Sequence, residues 1–463
     1  MSEKISDKLL SQRKNGYDRL TEQERLAMNA YCESYKDFLF KGCTERECVE
    51  ETLRLARERG YREYRRGESL KPGDKVYRVE AGKAVVLAVI GSEPLEQGVV
   101  ISGAHIDNPR LDLKPNPLYE DAGEVARFKT HYYGGIRKYQ WVSIPLALHG
   151  VVYRADGTRV RVRLGDEPGD PQLTIPDLLP HLADKQAKEP LWQAIKGEDL
   201  NVVVGSEPYP DEEEKERFKL QIMALLHEKY GITEDDFNTA ELCVVPAFRP
   251  TDVGLDRSMI GGYGQDDRVC AFACLQALFD AENTLKRTGI CLLVDKEEIG
   301  SYGVTGMDSS YFDRFLSDLC RGAGADYNTC IEHSFCLSSD VAAAYDDNYA
   351  FAYDKRNAGR VNGGLGIAKY TGSRGKSGAS DASAELMAYA RRVLDGEGVL
   401  WHVCEMGKVD EGGGGTISHY MARRGIPTLD GGTPLLAMHA PFEVSAKLDC
   451  YMTYRAARAF YNA

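Results

Sequence analysis

Five short islands of ionisable side chains punctuate this 463-residue chain: HID at His105 to Asp107, QDDR around Asp266, DKEEIGS around Glu297 and Glu298, SSD ending at Asp340, and AMHAP around His439. Each lies at the end of a predicted strand. Imidazole and carboxylate donors suit zinc, and also cobalt or manganese. A site for two such ions needs one carboxylate to bridge them and terminal donors on each. Water bound there loses a proton near neutral pH, and the ions stabilise a tetrahedral intermediate. Two histidines, two or three aspartates and a paired glutamate are the parts of a two-metal hydrolase, provided that they meet in space.

Taken singly, most islands also fit ordinary structure. His105 is a candidate ligand with Asp107 placed to orient its imidazole, but HxD alone fits a surface loop. Asp266 and Asp267 fit a helix cap, Asp340 fits a turn, and His439, between Pro434 and Pro441, fits a loop histidine. The strongest local signal is Glu297–Glu298, two acids directly after a buried strand and just before Gly300. One can ligate a metal while the other acts as general base. The combination and its order are far more specific than any member. Other chemistries fail: Gly412 to Thr416 has no following lysine for a phosphate loop and reads as a pocket wall. No GxSxG elbow appears, and the cysteines carry no nucleophile signature. Lys369, Arg374 and Lys376 lie in a run that fits either a solvated loop or a contact to a substrate carboxylate.

The elements that must position these islands read as α/β. A chain of this length exceeds one typical core, and its near-continuous apolar run Ala84 to Ile90 suits a sheet covered on both faces. Thr21 with Glu24, and Thr44 with Glu47, have the capping-box pattern that opens helices. From about Val245 onward strands and helices alternate, which predicts a mixed central sheet with helices on both faces. The intervening part looks antiparallel and inserted: VVYRADGTRVRVRL places Asp156-Gly157 between alternating apolar and charged residues, a hairpin pattern. A helix is expected over about 210–230, with the acidic run Asp211 to Glu214 at its start. These readings divide the chain into a discontinuous catalytic domain, 1–115 and 245–463, and a β-rich insertion, 116–244. The net charge of −13 argues against a nucleic-acid partner. No apolar run approaches the ~20 residues of a membrane helix. The polar N-terminus shows no secretory signal. Twelve cysteines without CxxC spacing read as reduced thiols of a cytoplasmic protein.

The stretches SGAHIDNPRLDLKP, DDRVCAFACLQAL, DKEEIGS, SSDVAAA and LLAMHAP resemble metallopeptidase family eighteen, the aspartyl-aminopeptidase-like enzymes, in order and spacing over nearly the whole chain. The resemblance implies a dinuclear zinc aminopeptidase that removes N-terminal residues from peptides by a metal-bridged hydroxide. It implies one ion on His105 and Asp340, the other on Glu298 and His439, Asp266 bridging, Glu297 as general base and Asp107 orienting His105. It also implies that the insertion is a dimerisation domain, that dimers build a homododecamer, and that His181 of TIPDLLPHL reaches a neighbouring subunit's site. Lys369 matches a substrate-binding lysine. The chain departs from acidic-specific members at Ala343, where they carry histidine, and at TGSRGK. The alternatives are a two-metal deacylase or dipeptidase on the same fold, and a self-assembling shell protein with a vestigial site.

Overall fold

The computed structural model describes residues 5–10, 15–122, 124–283 and 285–463. Its centre is a nine-stranded mixed sheet, in which Ala84–Val89, Thr288–Val294, Val99–His105, Phe335–Ser338 and Thr428–Gly432 lie side by side. All six residues of Ala84–Val89 are buried, and their alternation explains why. Val85, Leu87 and Val89 join a core with the helices Glu22–Lys41, Gln265–Ala281 and Lys447–Tyr461, while Val86 and Ala88 join a second core with the helix Tyr311–Ala323. A strand buried on both faces has no polar face to alternate, so the apolar run is continuous. The α/β class expected from the sequence is the class observed.

A six-stranded antiparallel sheet is built from strands between Arg110 and Pro246. It has its own buried cluster, including Leu111, Phe128, Trp141, Leu148 and Val244. The expected hairpin joins Leu146–Tyr153 to Arg159–Leu164, with Gly157 at φ 80° in the turn. The strands that leave and rejoin the central part, Arg110–Asp121 and Ala240–Pro246, pair with each other, with Val244 opposite Leu111. The sheet is therefore tethered at two adjacent crossings, beside the HID island. A third, five-stranded sheet contains Met259–Gly262, Glu443–Ala446 and Pro434–Leu436.

Thr21 forms its capping box, and Thr44 accepts the N–H of Glu47 to open the helix Glu45–Glu58. One helix starts later than expected. It spans Arg217–Tyr230, and the acidic run Asp211 to Glu214 is exposed chain before it. The preceding Glu216, at φ 49°, is in a left-handed conformation that no helix can run through. All twelve cysteines are unpaired. Among the described residues no helix is long and apolar enough to cross a membrane.

Candidate metal centre

Three neighbouring parallel strands end together. Val294 lies opposite His105 on one side of the Val99–His105 strand, and Ser338 lies opposite Gly103 on the other. The next residues out are the HID, EE and SSD islands, beyond the carboxyl ends of the strands where open α/β sheets gather functional groups. Asp266 arrives from the start of the buried helix Gln265–Ala281; it and Asp267 keep non-helical backbone. Gly264 precedes them at φ 70°, and a Cβ there would collide with the Arg268 guanidinium. His439 arrives from the turn after Pro434–Leu436.

The Asp266 carboxylate sits between the two imidazoles. Its Oδ1 is 3.0 Å from His105 Nε2 and its Oδ2 is 3.2 Å from His439 Nε2. His439 Nε2 is also 3.5 Å from Glu298 Oε1. On the other nitrogen, His105 Nδ1 lies 3.0 Å from the Asp107 carbonyl and His439 Nδ1 2.9 Å from the Gly135 carbonyl. A carbonyl only accepts, so both Nδ1 atoms donate. Against the desolvation that burial imposes, Asp266 holds both imidazoles protonated as well, which raises His439 to about 10. Nε2 is thus the nitrogen that would give up its proton to a metal ion. Donor atoms group as His105, Asp266 and Glu298, and as His105, Asp267 and Asp340, each set within 4.8 Å.

Zinc fits this arrangement. Bonds of ~2.0–2.1 Å meeting at near-tetrahedral angles set neighbouring donors about 3.0–3.4 Å apart, close to the observed imidazole–carboxylate separations. Glu298 Oε1 and both carboxylate oxygens of Asp267 are buried without a hydrogen-bond partner, an arrangement that is costly unless a cation satisfies it. Burial pushes Glu298 and Asp340 well above the usual carboxylate range. Asp266 goes the other way: its burial is outweighed by the hydrogen bonds from His105 and His439. Burial lifts Glu297 to about 7 against the attraction of His105, with repulsion from Asp107 and Asp266 adding to the rise.

Asp107 does more than face His105. It is fully buried, its Oδ1 accepts the N–H of Glu297 at 3.1 Å, and its Oδ2 accepts the N–H of Glu298 at 3.2 Å and the Tyr133 hydroxyl at 2.7 Å. Its carboxylate lies 3.4 Å from His105 Nδ1, farther than its own carbonyl. One side chain thus ties the HID island to the EE island. Tyr133 and Gly135 belong to the six-stranded sheet and its following turn, so that sheet supplies contacts to the site within one chain. Sequence reasoning missed both, together with Glu443 and the closeness of buried Asp267 to His105 and Asp340; the only local signal was the glycine pair in YYGGI.

The site opens into a cavity of about 680 Å³ lined by His105, Asp266, Glu297, Glu298, Asp340 and His439, with Ala343, Tyr370, Lys376 and Met406 farther out. The TGSRGK stretch and the glycine-rich run form its outer wall, paired through Gly372–Ser373 and Gly413–Gly414. Thr416 anchors that wall by donating to buried Asp430 at 2.6 Å. Lys369 is not among the lining residues, whereas Arg374, Lys376 and Lys408 are. His181 is exposed in the turn Pro180–Leu182 and lies outside its own chain's cavity.

The family model described as aminopeptidase I zinc metalloprotease (M18) matches residues 38–461. A Clostridium acetobutylicum protein described as "Probable M18 family aminopeptidase 1" is 48% identical over 463 residues, spanning 98% of this chain and 99% of its own length. The crystal structure of an M18-family aminopeptidase from Thermotoga maritima matches with a TM-score of 0.93 at 43% identity, over 97% of this chain and 99% of its own. The mApe1 dodecamer of S. cerevisiae shares the fold at 20% identity with a TM-score of 0.76, over 93% and 95% of the two chains.

Proposed function

The chain belongs to the M18 aminopeptidase family of zinc metalloproteases, and from that premise we propose that it removes the first residue of a peptide at a centre of two zinc ions. The observation that carries the two-ion reading is Asp266, whose two oxygens face one imidazole each. In this reading His105 and Asp340 hold one ion, Glu298 and His439 hold the other, and Asp266 bridges them. Asp267 lies close enough to His105 and Asp340 to shape the first position. Zinc bound there supplies Lewis acidity, lowering the pKa of water and stabilising charge on the reacting carbonyl.

Glu297 is the general base. Its carboxylate takes the proton of the attacking water and returns it to the leaving amine. Asp107 and Tyr133 position it, because the N–H of Glu297 is held by Asp107 rather than by its own side chain. The cavity beyond receives the side chain of the first residue, with the TGSRGK and glycine-rich walls setting its shape and Arg374, Lys376 and Lys408, rather than Lys369, among its lining.

We extend the proposal to assembly. The segment 116–244 is the dimerisation element, dimers build a dodecamer as in mApe1, and His181 stabilises the reacting carbonyl of a neighbouring subunit. In support, His181 is flanked by Leu178, Leu179 and Leu182, exposed by 45%, 49% and 67%, an apolar patch for a partner to cover. Twelve unpaired cysteines support a reducing, cytoplasmic setting. The test is a panel of aminoacyl amides against N-acyl amino acids with zinc, cobalt or manganese, with and without chelator. Chelator-sensitive release of free amino acids from the amides is expected; hydrolysis of the N-acyl compounds alone rejects the reading.

A further inference from the structure

Glu443 opens the strand Glu443–Ala446, opposite Gly262, and is 1% exposed. A carboxylate this deeply buried must be supplied with donors, and those of Glu443 are main-chain N–H groups of the loops that carry Asp266 and His439. Oε2 accepts from Gln265 at 2.6 Å and from Asp266 at 3.2 Å, while Oε1 accepts from His439 at 2.7 Å. The His439 turn needs such a hold, because His439 and Ala437 sit at φ 65° and 55°, in the left-handed region that non-glycine residues rarely occupy. Gln265 completes the clamp. Its Nε2 donates to the carbonyls of Ile260 at 3.0 Å and Glu443 at 2.7 Å, and its Oε1 accepts from Ser445 at 2.5 Å.

We propose that Glu443 is a positioning residue that locks the Asp266 and His439 loops to each other and so sets the spacing of the donors that share an ion. This rests on the assignment of Asp266 and His439 as ligands. Only an acid can serve both loops: a glutamine of the same shape has one acceptor oxygen and turns its amide N–H groups toward the other loop's N–H.

Glu443→Gln is compared with Ser445→Ala, which removes one side-chain bond to Gln265 but leaves the main-chain N–H groups of both ligand loops on Glu443, and with His439→Ala. Zinc affinity is read by chelator competition and the site geometry by the absorption spectrum of the cobalt-substituted protein. Glu443→Gln is expected to bind roughly 10- to 100-fold more weakly, the usual cost of losing a partner that orients a ligand, and to alter the cobalt spectrum. Ser445→Ala, which leaves the bonds of Glu443 to both loops in place, is expected to lose clearly less affinity than Glu443→Gln. Wild-type affinity and spectrum in Glu443→Gln, or an equal loss in Ser445→Ala, overturns the proposal. If the glutamine variant does not fold, Glu443→Asp, which keeps the charge and shortens the reach, must still weaken binding. If His439→Ala retains the full metal complement, the ligand assignment itself fails. If His439→Ala loses metal while the Glu443 variants do not, only the positioning role fails.

Discussion

Replacing Glu297 with glutamine should push activity and stability in opposite directions. The side chain is partly buried among acids, and its carboxyl is raised from 4.5 to about 7. That difference corresponds to about 3 kcal/mol by which ionised Glu297 destabilises the metal-free fold at alkaline pH, at ~1.36 kcal/mol per pKa unit. The sign follows from linkage. The folded state holds its proton more tightly than the unfolded chain, so the penalty is absent below 4.5, grows between 4.5 and about 7, and is complete above that. Metal-free Glu297→Gln should therefore be more stable than the wild type at pH 8, by up to about 3 kcal/mol, and equal to it near pH 4. The Glu297 N–H bond to Asp107 does not involve the side chain, so the turn and the zinc content should be unchanged. Turnover should fall ~10²- to 10⁴-fold, the range for a lost general base, or about 3–5 kcal/mol in the barrier. The assay pairs aminoacyl-amide hydrolysis and elemental zinc analysis on the same preparation with denaturant unfolding of chelated protein at both pH values. Near-normal turnover, lost zinc, or a stability gain that does not depend on pH would each refute this reasoning.

Asp107→Asn keeps the shape but not the second anionic oxygen that holds Glu298 N–H and Tyr133. Zinc retention against chelator should fall roughly 10- to 100-fold, and Tyr133→Phe should reproduce a smaller part of the loss. If His181 acts in trans, His181→Ala should lower turnover without changing zinc content, and co-assembly with Glu297→Gln chains should restore activity; mixtures no more active than their parts would count against it. Sedimentation that shows only monomers would remove the assembly proposal. Buried His149 bridges Glu47 at 2.9 Å and Asp166 at 3.3 Å, which joins the six-stranded sheet to the helix Glu45–Glu58. Burial works against its charge, but the two carboxylates win and raise its pKa. Its contribution is thus complete below about 6.5 and fades as pH rises through the raised value. His149→Gln should cost ~1.5–3 kcal/mol in denaturant unfolding at pH 6 and less at pH 9.

Much of this protein was readable where one residue's neighbours in sequence are also its neighbours in space. The run Ala84 to Ile90 revealed a sheet covered on both faces, because burial on two sides removes the polar alternation. Asp156-Gly157 marked its hairpin through backbone conformation alone. The start of the helix Arg217–Tyr230 was misplaced because acidic composition favours a helix start, while the left-handed turn at Glu216 decides it. Lys369 carried a charge that fits a substrate, but only the path of the pocket wall decides which of the cations there face the cavity.

The sequence by itself determined the donor types, their order and the α/β class, because ligand chemistry and strand periodicity are written in residue identity and local spacing. Only the tertiary structure decided that three parallel strand ends bring the islands together and that Asp266 faces both imidazoles. It alone decided that Asp107 spans two islands and that Glu443 clamps two loops. Those contacts join residues up to 191 positions apart, as between Glu298 and Asp107. Hydrogen bonds from main-chain N–H groups leave no trace in the identity of the donor, so the acids that collect them cannot be told from solvated ones until the chain is folded.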